Sequence, residues 1–142
     1  MGRRNKRKSE AARKWTKQGA FAHFGARATN SRWGWSARND DPPTVVLTVW
    51  DDEFDPDAAG TAIDMFGHRN LARWAHALGN RDRIRNLQFA RERCGDLFRI
   101  VVLTAKDVNA SPRTTLRLRP HPLVMRLTDL NPDTGEFRAV RA

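Results

Sequence analysis

The sequence predicts an α+β domain, with a curved, mostly antiparallel sheet or small β-barrel and two or three helices. Three observations carry this. A β-branched run at residues 44–50 comes first, helical patterns follow, and strand-like segments close the chain, an order that does not alternate strand with helix. The length, 142 residues, is that of one ordinary domain. Two separate cores are not expected, because a half-length piece of roughly 70 residues would bury only about 60% of its unfolded surface. Strong turn signals, Asp40-Asp41-Pro42-Pro43 and Asn131-Pro132-Asp133-Thr134-Gly135, separate the segments. No internal repeat is visible.

Taken in order, residues 1–18 read as a basic arm, partly disordered when free, and residues 19–142 as one α+β domain. Gly2 to Lys8 holds no apolar residue and can bury nothing to offset ordering entropy. Residues 9–18 fit a short helix with Ser9 as N-cap and Ala11, Ala12 and Trp15 on one face. Residues 19–38, with Gly19, Gly25 and Gly34 among aromatics, read as loop with one short strand at most. Thr44-Val45-Val46-Leu47-Thr48-Val49-Trp50 reads as a strand buried on both faces. Residues 51–57 form an acidic loop. Residues 58–66 are expected to be a short helix. Residues 69–78 fit another, with Leu71, Trp74, Ala75 and Leu78 on one stripe and Gly79 as its stop. The best helix starts from Asn80 or Asp82 and runs to Cys94, with Gly95 as terminator. Ile84, Leu87, Ala90, Arg91 and Cys94 share one face of it, and Arg81, Arg85 and Arg93 project elsewhere. Strands follow at 97–105, 114–119, 123–130 and 136–141. Val46, Leu47, Val49, Ile100, Val102, Leu103, Val124 and Leu127 form the expected core.

Charge narrows the partners. Lys and Arg number 26 against 16 Asp and Glu, a formal +10, which favours a polyanion and disfavours a cationic substrate. Residues 1–38 carry eleven basic residues and one acid, residues 39–67 eight acids and no Lys or Arg, and residues 68–142 fifteen basic residues and seven acids. Arg3, Arg4, Lys6, Arg7 and Lys8 would make the arm a phosphate-contacting tail; a solubilising tail or a localisation signal is the alternative. No apolar run of 18 residues and no signal-peptide core occurs, so membrane insertion and secretion are not expected, and the reading is cytoplasmic. The single cysteine, Cys94, excludes an internal disulfide and a multi-cysteine zinc site.

The chemistry-bearing residues centre on Asn30-Ser31-Arg32-Trp33-Gly34-Trp35-Ser36-Ala37-Arg38. In extended chain Trp33 and Trp35 face the same side, and two indoles on one face can stack on a base, worth about 1–3 kcal/mol per base. Arg32 and Arg38 could hold the adjacent phosphates, and Asn30 and Ser36 could read a base edge. Trp50 ends the first strand nearby. The other reading is that these indoles fill the core. Trp15 and Trp74 read as packing residues. Further phosphate contacts fall to Arg81 and Arg85 on the long helix and to Arg117 and Arg119 on one strand face, since the guanidinium fork suits phosphate or guanine.

Catalysis finds less support. His68 and His76 are eight residues apart, too far for shared metal ligation, so no metal or other cofactor is expected. Asp51 to Asp57 lacks the glycine of an EF-hand loop. Lys106 stands as in a PD-(D/E)xK nuclease, but Thr104 occupies the place of the acid. The deaminase, P-loop and nucleophile-elbow patterns are absent. A metal-dependent nuclease using Asp51, Asp52 and Lys106 is one alternative. A protein-binding inhibitor from a phage or mobile element is another, and a nuclease subunit is a further partner to consider.

The aromatic-rich entry segment, the strand ending in Trp50, the helical region and the closing strands together resemble the PUA-like superfamily, which includes EVE, ASCH and YTH domains. Residues 30–36 and 131–137 also look like parts of uncharacterised bacterial proteins related to modification-dependent restriction. The resemblance spans residues 20–141. It implies a small curved barrel that binds RNA or holds a flipped, often modified, base in an aromatic pocket, and it carries that pocket to Trp33, Trp35 and Trp50. The chain departs from the family in having no tyrosine and in its acidic loop.

Overall fold

The computed structural model describes residues 14–29, 34–68 and 71–142. In chain order the elements are α1 (Lys17–His23), β1 (Ser36–Asp40), β2 (Pro43–Trp50), a 3-10 turn at Asp51–Glu53, β3 (Ala62–Asp64), α2 (Leu71–Trp74), α3 (Leu78–Arg93), β4 (Leu97–Ala105), β5 (Thr115–Leu130) and β6 (Phe137–Arg141). The strands form one mixed sheet in the order β1-β2-β4-β5-β6-β3. Only β2 and β4 run parallel, and the chain between them supplies β3, α2 and α3 as a long crossover. The fold is α+β as expected. Strands β1 and β3 end the order and do not pair with each other among the described residues, so the sheet is open where a closed barrel was the other expectation.

Strand β2 explains why two layers cover the sheet. Its burial is continuous from Val45 to Val49, so both faces of the pleat are dry. Val45, Leu47 and Val49 join Leu87, Ala90, Phe98, Ile100, Val102, Leu123, Met125, Leu127 and Phe137 in the larger core, under α3. Val46 points the other way and joins Ala20, Phe21, Ala37, Val101 and Leu103 in a smaller core under α1. Each large apolar side chain buried this way contributes about 1.5–3 kcal/mol. Seven of the eight expected core residues are buried; Val124 is half-exposed.

Four element assignments differ from the sequence expectation. Of the helix expected at 9–18, the described residues 14–16 are not helical, and α1 reaches from Lys17 to His23 into the segment expected to be loop: Thr16 caps it by accepting from Gly19 N–H at 3.0 Å, and Ala20 and Phe21 bury its inner face. Positions 9–13 lie outside the described residues. Residues 58–66 contain a strand instead of a helix. Ile63 is buried between exposed Ala62 and Asp64, a period of two, and pairing with β6 satisfies the backbone. Gly79 does not stop a helix; it is buried in the first turn of α3. The break falls at Ala77, whose extended backbone (φ −65°, ψ 144°) serves as N-cap without a side-chain bond. Finally, the strands expected at 114–119 and 123–130 are one, β5. Its register against β4 jumps between Val124 and His121. Pro122 falls in that bulge, where no ladder donor is needed, and the Leu123 N–H donates to His121 Nδ1 at 3.1 Å.

Candidate functional site

A cleft of about 560 Å³ opens beside the C-terminal ends of the parallel strands β2 and β4. Parallel neighbours joined by a helical crossover leave their carboxyl ends facing such a crevice. Its aromatic wall is Trp35, Trp50 and Trp74; its floor includes Val49, Met65, Leu103 and Phe137; the loop 108–113 forms one rim. Lys17, Arg83 and Arg113 bring cationic groups to it, and Glu53 and His68 also line it.

Each tryptophan is held by its surroundings. The Trp35 carbonyl accepts from both Thr48 N–H (2.9 Å) and Thr48 Oγ1 (3.0 Å), which fixes the residue at the entry to β1. Trp50, at the end of β2, is half-buried, and the Arg113 guanidinium lies 5.3 Å from its ring centre. Arg113 is held in place by a bidentate pair with Asp52 at 2.7 and 2.8 Å. Trp74 ends α2, and its Nε1–H points to His68 Nδ1 at 3.4 Å. With that nitrogen accepting, the His68 proton lies on Nε2, 3.4 Å from Glu53 Oε1.

Arg83 is the most unusual group of the cleft. Only 6% of it is exposed. Its guanidinium lies 5.1–5.3 Å from the ring centres of Trp35, Trp74 and Phe137. Nη2 donates to Asn80 Oδ1 at 2.9 Å, and Nε is buried with no partner. No carboxylate lies within ion-pair distance among the described residues. Burial pushes its pKa down to about 10, against the weaker opposing pull of Glu53. Asn80 is itself fixed: its Nδ2 donates to the carbonyls of Ala75 (3.0 Å) and Thr134 (2.9 Å). Lys17 donates to the Gly34 carbonyl at 3.2 Å, and burial lowers its pKa too.

The predicted site residues divide. Trp35 and Trp50 come together in the cleft, and Trp74, read as packing, joins them. Asn30, Arg32 and Trp33 lie outside the described residues, as do Arg3, Arg4, Lys6, Arg7 and Lys8. Ser36 is fully buried and takes a 2.7 Å bond from Asn86 Nδ2, so it presents no edge to a ligand. Arg38 lies over Phe89 and pairs with Asp40. Arg81, Arg85, Arg117 and Arg119 are exposed and none lines the cleft. Arg85 faces Asp82, and Arg119 faces Asp57. Sequence reasoning passed over Lys17, read Trp74 as packing, and took Arg83 only as one of the arginines crowding the long helix, without singling it out for a site. For Arg83 a signal existed: stepping back from Ala90 and Leu87 by helical spacing reaches Asn86, Arg83 and Asn80, all buried.

The acids proposed for metal chemistry are dispersed onto other partners. Asp51 accepts from Thr104 Oγ1 at 2.6 Å, Asp52 holds Arg113, and Lys106 is exposed at the end of β4. Asp57 faces His121 Nε2 at 2.8 Å. Because His121 Nδ1 accepts from Leu123, Nε2 carries the proton and donates to Asp57, leaving no ring nitrogen free to act as a base. That bond holds the Asp57 carboxyl below its usual range. Among the described residues no helix is long and apolar enough to cross a membrane. Compared with protein-family models, curated proteins and solved structures, the chain matches none.

Proposed function

We propose that the chain is a nucleic-acid-binding module and that its cleft receives a base, flipped out of or projecting from a strand, against the tryptophan wall. The observation that carries this reading is the convergence of Trp35, Trp50 and Trp74 on one cleft with a buried cation at its wall. Indoles give a base large stacking area at low entropic cost. The cleft volume lies within the usual range for small-molecule sites, about 300–1,000 Å³. The formal +10 charge supplies the attraction to phosphates that brings a strand to the surface. Selection of a modified base, and the PUA-like relationship that implies it, belong to this same reading. So does cytoplasmic residence.

The test is a titration with short single-stranded DNA and RNA oligonucleotides at low salt, followed by tryptophan fluorescence. Stacking quenches the indoles of the cleft, and Trp50→Ala reduces affinity by about 1–3 kcal/mol. Undiminished affinity of a folded Trp50→Ala protein would remove the stacking role.

A further inference from the structure

We infer that the cleft contains an oxyanion subsite centred on Arg83, so that its preferred occupant is a nucleotide bearing a phosphate monoester rather than a bare base. This rests on the base-binding reading above.

The first observation is an unbalanced charge. A buried cation normally has a carboxylate beside it, because the protein must replace the water that solvated the charge. Arg83 is 94% removed from solvent, yet has aromatic rings on several sides and, among the described residues, a single side-chain hydrogen bond, to a neutral carboxamide. The rings stabilise a cation through their π-faces but accept none of its N–H bonds in the plane of the guanidinium. Even with its pKa lowered to about 10 the group stays protonated at neutral pH. The fold therefore holds a positive charge with no carboxylate within ion-pair distance among the described residues, Glu53 acting on it only from farther off, in a side chain that lines an open cleft.

The second observation is independent. Helix α3 has 16 residues, and its N-cap, Ala77, lines the same cleft without a side-chain cap. The N-terminal amides of a helix and its dipole favour an oxyanion. Arg83 lies in the second turn of this helix, and both it and Ala77 line the one cleft. Lys17, half-buried on the opposite layer, adds a third positive group. Glu53 is the acid that lines the cleft, and it faces His68. The other cation, Arg113, is already taken by Asp52.

The chemistry shared by candidate ligands is a dianionic phosphate attached to a ring that stacks. It could come from a free nucleoside monophosphate or from the phosphorylated end of a strand. The probes are adenosine and guanosine, their 5′-monophosphates, inorganic phosphate, and tetranucleotides with and without a 5′-phosphate. All are titrated into the full chain at constant ionic strength. The monophosphates should bind about 10- to 100-fold more tightly than their nucleosides, the range of a charge-assisted hydrogen bond. Arg83→Met should bring the ratio of monophosphate to nucleoside affinity down to about one while the melting temperature is retained. Arg83→Lys, which keeps the charge and loses the fork, serves if the methionine variant does not fold; it should retain part of the preference. A 5′-phosphorylated tetranucleotide exceeding its unphosphorylated twin identifies a strand end, and equal binding of the two beside a strong monophosphate identifies a free nucleotide. Nucleosides and monophosphates binding equally well would overturn the subsite and leave the stacking reading standing. If neither binds, the stacking reading fails, and the subsite is then decided by inorganic phosphate. Stabilisation of the wild type but not of Arg83→Met supports it, and no stabilisation of either sinks it.

Discussion

Arg83 shows how one side chain ties the architecture of the cleft to its chemistry. Its position depends on Asn80, and Asn80 depends on Gly135. That glycine has φ +83°, and a Cβ placed there would collide with the Asn80 carboxamide. Gly135→Ala therefore combines a strained backbone with a displaced buried amide, and should cost about 1–3 kcal/mol in denaturant unfolding. An unchanged midpoint would show that Asn80 is not held as described. Arg83→Met should behave oppositely, because it removes a buried charge with no carboxylate within ion-pair distance among the described residues. Its melting temperature should equal or exceed that of the wild type, and a large drop would mean that the guanidinium is structural. Asp57 gives a pH signature. His121 holds its carboxyl below the usual range, so its contribution is present above the ordinary carboxylate pKa of about 3.9 and is lost as pH falls through the lower folded value. Asp57→Asn should flatten this acid limb of the stability profile, and an unaltered limb would show that the bond does not matter. Of the site, sequence alone exposed Trp35 and Trp50. Arg83 was legible only as one of several helix arginines, and its burial was not, because an arginine on a helix ordinarily reads as a solvated residue.

At the scale of elements, the legible ones were those whose pattern and surroundings agree. Strand β4 occupies the expected residues, and β2 differs from expectation by only one residue, Pro43. Central strands advertise themselves through unbroken β-branched and apolar runs. Strand β3 did not, because three residues cannot display a period and pairing with β6 decided their state. Helix α3 was found, but its start was misplaced. Its N-terminal half turns Asn80 to the Ala75 and Thr134 carbonyls, Arg83 to the cleft and Asn86 to Ser36, so its buried stripe is polar before it becomes Leu87 and Ala90. Hydrophobic periodicity cannot see a polar stripe. Pro120 and Pro122 fall between the two strands that were expected separately, and inside the single strand β5 the His121 ring accepts from the Leu123 amide at the bulge. The placement of β4 at the centre of the sheet predicts that Val102→Ala costs about 1–3 kcal/mol, through lost transfer energy and a residual cavity. Val124→Ala, at a half-exposed position, should cost less; equal losses in a parallel denaturation series would contradict the assignment of the two faces.

For the whole molecule, charge and cleft play separable parts. Phosphate contacts release counter-ions and stacking does not, so the two act on different observables. Deleting residues 1–8 removes Arg3, Arg4, Lys6, Arg7 and Lys8. The slope of log affinity against log salt should become shallower by up to about four units if all five reach phosphates of a duplex. An unchanged slope would show that the arm touches no phosphate. Stacking in the proposed function leaves no such trace, and the cleft tryptophans also support the sheet, since Trp50 packs against the smaller core and Trp74 against the larger. Affinity and stability must therefore be read on the same variants. The decisive measurement is oligonucleotide affinity of Trp35→Ala, paired with its melting temperature and its salt slope. The account predicts a folded protein that binds about 1–3 kcal/mol more weakly at an unchanged slope. A lowered melting temperature with wild-type affinity in the folded fraction would contradict it, and would return Trp35 to the role of a packing residue.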